Sequence, residues 1–208
     1  MTGILFDLDG TLLDTLQDLH DAVNHALDTL GHPRRSLEEV RQFVGNGARV
    51  LMSRAVPEGA DGEAGYAVFK PYYDAHCQIK TAPYPGIPEA LEYLTARYPV
   101  AIVSNKPDSA VKTLCADYFP GVYALGERPD CPRKPAPDMV LRAMKDLGVE
   151  RCVYVGDSEV DVLTARNAGV PCLSVLWGFR DQGDMEAVGG THFCDCTEKL
   201  VSMLEEML

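Results

Sequence analysis

Ile4-Leu5-Phe6-Asp7-Leu8-Asp9-Gly10-Thr11 is a short apolar run ending in two carboxylates two residues apart. Read as a strand, its alternating side chains put Asp7 and Asp9 on the same side. Two like charges in one pocket repel, so a site holding both usually contains a cation or a shared proton. Gly10 and Thr11 then break the strand into a turn. Taken alone, the octet also fits a solvated turn at a strand end, where Asp and Gly are ordinary residues.

The rhythm of the following chain places this strand in a sheet. Residues 15–80 read as helices. Leu16, Leu19, Val23, Ala26, Leu27 and Leu30 keep helical spacing up to Gly31, and Thr15 to Asp18 resembles a capping box. Ser36-Leu37-Glu38-Glu39 opens a second helix, which Gly45-Asn46-Gly47 ends. A third covers 48–56, and a fourth lies within 62–79 with Pro71 as a kink. Ala82 to Pro88, rich in proline, reads as a linker. Beyond it, strands at 100–103, 122–125, 151–155 and 172–176 alternate with helices at 88–98, after Pro107, from Pro135 or Pro137 to Gly148, and at 158–168. His192-Phe193-Cys194 adds an edge strand before a last helix from about Thr197. Apolar strands alternating with helices predict an α/β fold, a Rossmann-like parallel sheet with helices on both faces. The expected division is a core of 1–14 and 82–208 with an all-helical cap, 15–81, inserted after the first strand.

Composition bounds the function. The chain has 208 residues, 46% hydrophobic and 24% charged, which describes an ordinary globular protein. Nineteen Lys and Arg stand against 31 Asp and Glu, a net charge of −12. No basic block is available to neutralise nucleic-acid phosphates, so any phosphate site must be locally positive. No apolar run reaches the length of a membrane span, and Asp7 cuts short the N-terminal apolar stretch, so neither a signal peptide nor a membrane partner is expected. Seven scattered cysteines fit a reducing cytosol, and Cys194-Asp195-Cys196 lacks a second pair at zinc-site spacing. The five histidines show no ligand spacing.

In open α/β sheets, ligands sit beyond the C-terminal ends of the strands. Those ends carry Asp7 and Asp9, then Ser104-Asn105-Lys106, and then Gly156-Asp157-Ser158-Glu159-Val160-Asp161; Lys134-Pro135-Ala136-Pro137 precedes a helix on the same rim. Hard oxygen donors favour Mg²⁺ over zinc or copper, and a lysine beside such a metal offers a positive point to a phosphoryl oxygen. Each piece has a plainer alternative. Ser104-Asn105 also fits a helix cap, Lys134 a solvated loop lysine, Asp157 a cap, and Asp161 an exposed helix face. Trp177, just past an apolar strand, fits either core or a shield over the site.

These four segments resemble, in order and spacing, the four motifs of the haloacid dehalogenase superfamily. Residues 15–80 look like the small helical cap of one subgroup. Val44-Gly45-Asn46-Gly47-Ala48 and Lys134-Pro135-x-Pro137 are similar to phosphoglycolate phosphatases. The resemblance implies Asp7 as a nucleophile forming an aspartyl-phosphate, and Asp9 as the acid that protonates the leaving alcohol and later takes a proton from water. It implies Mg²⁺ held by Asp7, the carbonyl of Asp9, and Asp157. Asp161 would then orient a metal-bound water or Lys134. Ser104, Asn105 and Lys134 would bind the phosphoryl group, and Gly45, Asn46 and Arg49 would read its organic part. For these cap residues a plain helix–helix turn and a solvated arginine are the alternative. A carboxylate at position 9 favours phosphatase over carbon–halogen cleavage, because halide leaves unprotonated, and residues 41–56 lack the lysine that phosphonate hydrolases use. The implied substrate is a small phosphorylated metabolite such as 2-phosphoglycolate. Pyrophosphate, sugar-phosphate and nucleotide hydrolysis, or a β-phosphoglucomutase-like transfer, are the rivals; the implied assembly is a monomer or homodimer.

Overall fold

Strand β1 (Thr2–Phe6) lies at the middle of a six-stranded sheet in the computed structural model, which describes residues 2–208. Met1, counted in the 1–14 segment, lies outside the described residues. A two-residue strand β2 (Leu13–Asp14) follows, then helices α1 (Leu16–Thr29), α2 (Leu37–Phe43), α3 (Ala48–Ala55) and α4 (Gly62–His76), and then β3 (Ala82–Pro83). The remaining elements are α5 (Ile87–Thr95), β4 (Val100–Pro107), α6 (Asp108–Tyr118), β5 (Tyr123–Glu127), α7 (Asp138–Leu147), β6 (Arg151–Gly156) and α8 (Glu159–Ala168). β7 (Cys172–Val175), α9 (Gln182–Ala187), β8 (Phe193–Cys194) and α10 (Leu200–Met207) complete the chain.

The sheet order is β5-β4-β1-β6-β7-β8, with every pairing parallel. Successive side chains go to opposite faces. Ile4, Phe6, Ile102, Val153 and Val155 join one apolar cluster, while Leu5, Ala101, Val103 and Tyr154 join the other beneath α7 and α8. This two-sided burial is why the strands read as continuous apolar runs. Because β1 lies between β4 and β6, the chain crosses in opposite directions from it, and a crevice opens beyond its C-terminal end.

The helical segment leaves through β2 and returns through β3, which pair antiparallel as Leu13↔Pro83 and Asp14↔Ala82. Asp18 secures the return: its carboxylate accepts the amides of Lys80 (3.0 Å) and Thr81 (2.8 Å). Leu19, Val23, Leu27, Met52 and Phe69 of the helical segment pack into the same apolar cluster as Ile4 and Phe6. Among the described residues, no helix is long and apolar enough to cross a membrane.

Three details differ from the sequence expectation. The β2–β3 ribbon is too short to leave a pattern. Helix α9 is short too, although its capping box, Asp181 with Asp184, is legible afterwards. Strand β4 runs past Val103 to Pro107, and its register against β5 shifts in between. Such irregularities re-aim side chains, and here they fall on Ser104, Asn105 and Lys106.

Candidate active site

Asp7 is the first residue beyond β1, and its amide donates to the Val155 carbonyl (2.8 Å), so the β1–β6 ladder fixes its backbone. Lys134 Nζ lies 2.8 Å from Asp7 Oδ1 and 2.8 Å from Asp161 Oδ1, and donates to the Tyr154 hydroxyl at 3.0 Å. The ammonium thus has three oxygen neighbours for its three protons. Burial opposes the charge on Lys134, but Asp161 and Asp7 outweigh it and hold its pKa well above the usual lysine range. Asp7 is pushed up to about 7 by burial, which Lys134 offsets only in part while Asp161 and Asp9 add repulsion. Asp161 is the partner of Ser158 in the capping box of α8, accepting the Ser158 hydroxyl at 2.6 Å, and is buried rather than on an exposed face.

Asp157 completes an acidic cluster. One oxygen from each of Asp7, Asp157 and Asp161 lies within 4.8 Å of the other two. Asp157 accepts the Phe179 amide (2.7 Å) and the Thr11 hydroxyl (3.2 Å). Burial, then Asp161 and Asp7, push its pKa well above the usual carboxylate range. Backbone closes around it. A Cβ on Gly178 would sit 2.3 Å from Asp157 Cβ and 2.5 Å from the Gly10 carbonyl, and one on Gly10 would sit 2.3 Å from Asp157 Oδ2. Trp177 settles between its two alternatives as a brace: half-buried, it donates Nε1–H to the Thr11 carbonyl at 3.0 Å.

Three buried carboxylates face one lysine. A cluster that is short of positive charge and built only from oxygen donors fits a hard cation such as Mg²⁺.

Asp9 lies beyond the end of β1 at Phe6; Leu8 between the two aspartates enters the core and Gly10 turns the chain at φ +81°, so both carboxylates reach the same side, as strand alternation predicts. Asp7 and Asp9 line one cavity but have separate counter-ions. Asp9 Oδ1 lies 2.9 Å from Lys106 Nζ and accepts the Thr15 hydroxyl at 2.5 Å. Lys106 donates to the Tyr73 hydroxyl of α4 at 2.7 Å and sits 4.6 Å from the ring centroid. Burial opposes the Lys106 charge, yet Asp9 and Tyr73 raise its pKa; burial raises that of Tyr73. Sequence reasoning gives Lys106, Tyr73 and Tyr154 no role. A hydroxyl in the otherwise apolar run of β6 was the available signal for Tyr154.

Ser104 Oγ lies 3.5 Å from Asp9 Oδ2. Asn105, expected to donate to a phosphoryl group, uses its side chain on backbone: Nδ2 donates to the carbonyls of Lys134 (2.9 Å) and Gly45 (3.1 Å), and Oδ1 accepts the Lys134 amide (2.8 Å). It therefore positions Lys134 and the turn after α2. Of the three cap residues expected at the substrate, Gly45 lines the cavity, while Asn46 and Arg49 do not. Arg49 is exposed, pairs with Glu63 and lies 4.3 Å from the Tyr66 ring centroid, because its side of α3 faces α4 rather than the core.

Residues 4–175 match the family described as haloacid dehalogenase-like hydrolase. The chain is 38% identical over 191 residues to phosphoglycolate phosphatase 1 of Pseudomonas aeruginosa, covering 85% of this chain and 70% of that protein. It is 37% identical over 190 residues to a phosphoglycolate phosphatase of Rhodobacter capsulatus, covering 86% and 85%. A crystal structure from Lactobacillus delbrueckii subsp. bulgaricus, provisionally assigned as a phosphoglycolate phosphatase, is 39% identical and superposes with a TM-score of 0.91 over 97% of both chains. In both the extent of the family match and the fold that carries it, this chain belongs to the haloacid dehalogenase-like hydrolases.

Proposed function

We propose that the chain is a Mg²⁺-dependent phosphatase that hydrolyses a small phosphate monoester, 2-phosphoglycolate being the best candidate, through an aspartyl-phosphate. The observation that carries this reading is the bridge of Lys134 between Asp7 and Asp161, with Asp157 alongside. Phosphoryl oxygens repel an attacking carboxylate, so charge neutralisation is the main task at such a site. A Mg²⁺ held by Asp7, Asp157 and the Asp9 carbonyl, with Asp161 orienting Lys134 beside it, would supply positive charge there.

In this reading the Asp7 carboxylate bonds to phosphorus as the ester oxygen departs, and Asp9 gives that oxygen its proton. Water then attacks the aspartyl-phosphate, passes a proton to Asp9, and frees Asp7 and inorganic phosphate. Lys134 stays protonated and balances Asp7. Lys106, Thr15 and Ser104 hold the Asp9 carboxyl in place.

Relatives named phosphoglycolate phosphatases support the substrate. The cavity between Asp7, Asp9 and the helical segment has Leu19, Leu51, Phe69 and Phe179 in its walls. The unpaired cysteines suit a reducing cytosol.

Phosphate release from 2-phosphoglycolate, pyrophosphate and glucose 1-phosphate, with Mg²⁺ and with EDTA, tests the reading. The expected result is metal-dependent turnover that is fastest on 2-phosphoglycolate and abolished in Asp7→Asn. Appreciable hydrolysis by that variant would remove Asp7 from its role. Isomerised sugar phosphate with little free phosphate would identify a mutase instead.

A further inference from the structure

Arg180 stands in the loop after β7, buried, with its guanidinium against the C-terminal end of α2. It donates to the carbonyls of Arg41 (2.8 Å), Gln42 (3.2 Å) and Val44 (2.7 Å), and its Nε pairs with Glu159 Oε2 at 3.1 Å. The last carbonyls of a helix lack partners within the helix, and the negative end of its dipole favours a cation. Arginine suits this position because its planar fork aims several donors at once. A second tie lies close by: Asn105 Nδ2 on the Gly45 carbonyl. Val44, Gly45 and Gly47, in the turn between α2 and α3, line the cavity beside Ala48 and Leu51 of α3, and a Cβ on Gly47 would come within 3.3 Å of the Asn105 carbonyl. One wall of the substrate space is thus fastened to the sheet by Arg180 and Asn105, whose polar groups are spent on backbone carbonyls of that wall.

We propose that Arg180 is a specificity-determining positioning residue. By pinning the end of α2, it holds Val44 and Gly45 down over the site and restricts the enzyme to compact phosphate monoesters. The inference rests on the phosphatase reading and adds to it the residue that sets the size limit. Lysine at the same place would keep the pairing with Glu159 but could not span three carbonyls.

The test compares the wild type, Arg180→Met and Arg180→Lys on 2-phosphoglycolate and on the bulkier p-nitrophenyl phosphate, with amide hydrogen exchange measured on each protein. In Arg180→Met, kcat/KM for 2-phosphoglycolate falls roughly tenfold to a hundredfold, the scale of small misplacements in a site. Activity on p-nitrophenyl phosphate holds or rises, so the ratio between the two collapses. Arg180→Lys recovers part of that ratio. Amides of residues 37–48 exchange faster, while those of β1 and β6 keep their protection. If Arg180→Met does not fold, Arg180→Lys carries the same comparison with the same expected direction. An unchanged ratio, or an equal loss on both substrates, overturns the proposal. Wild-type protein inactive on every monoester defeats the phosphatase reading instead. In that case unaltered exchange across residues 37–48 in the variants still refutes the fastening role of Arg180.

Discussion

Lys106 and Asp9 form an ion pair of 2.9 Å whose side chains are almost closed to solvent. Beside it stands the Lys134–Asp7 pair at 2.8 Å. Two carboxylates that leave the same strand end therefore answer to different cations. This separation lets one aspartate serve as nucleophile and the other as proton carrier in the proposed reaction.

Removing the cation from the first pair leaves Asp9, largely shielded from solvent, without a counter-ion. Breaking such a pair costs about 3–5 kcal/mol of stability. Lys106→Met is expected to lose stability on that scale in urea unfolding. Its kcat falls about a hundredfold, the contribution of a displaced acid–base group. Wild-type kcat in this variant would show that the pair is structural only.

Tyr154→Phe removes the hydroxyl that accepts from Lys134 at 3.0 Å and lies 3.2 Å from Asp161. Leaving buried polar partners unsatisfied costs about 1–3 kcal/mol. Turnover should drop about tenfold with KM little changed, because Lys134 loses its orientation rather than its charge. Steady-state kinetics check this; a change confined to KM would contradict it.

Gly178→Ala is expected to displace Asp157, since the added methyl would sit 2.3 Å from Asp157 Cβ and backbone lies on its other side. The Mg²⁺ concentration for half-maximal activity should rise at least about tenfold, as for lost supporting contacts around a metal. Gly183→Ala, which meets nothing within 4 Å, is the control and should behave as wild type.

Without metal, the folded protein holds protons that the unfolded chain gives up. Asp7 carries a pKa of about 7 against an ordinary value of 3.8, and Asp157 is pushed the same way. The folded state therefore binds more protons across that interval, and stability declines as pH rises through it. In EDTA, Tm should fall between about pH 5 and about pH 8. Saturating Mg²⁺ should flatten the slope, because a cation then replaces the protons. Calorimetry in both conditions decides the point; a Tm that is flat or rising in EDTA would count against the charge imbalance at the cluster.

The sheet was legible because β1, β4 and β6 are apolar on both faces, and the rim was legible because Asp7 and Asp157 lie at strand ends, Lys134 before α7 and Asp161 in the first turn of α8. Their convergence follows from topology alone. What local pattern could not carry was anything that depends on how the helical segment docks. Tyr73 meets Lys106 across that junction, and Arg49 points to Glu63 because α3 has several polar faces and only docking selects among them. Asn105 looked like a phosphate donor by its place in the motif, yet its amide is spent on the Lys134 backbone. Gly178 reads as an ordinary loop glycine until Asp157 is beside it.

The ribbon of Leu13–Asp14 with Ala82–Pro83 carries an evolutionary consequence. Departure and return occur side by side, so the sheet meets everything between them as though it were a hairpin. Lengthening or replacing that stretch leaves the span to be bridged unchanged, and the entropy of closing a longer excursion grows only slowly with its length. Insertions and deletions between Asp14 and Ala82 therefore leave the point of closure on the sheet unchanged.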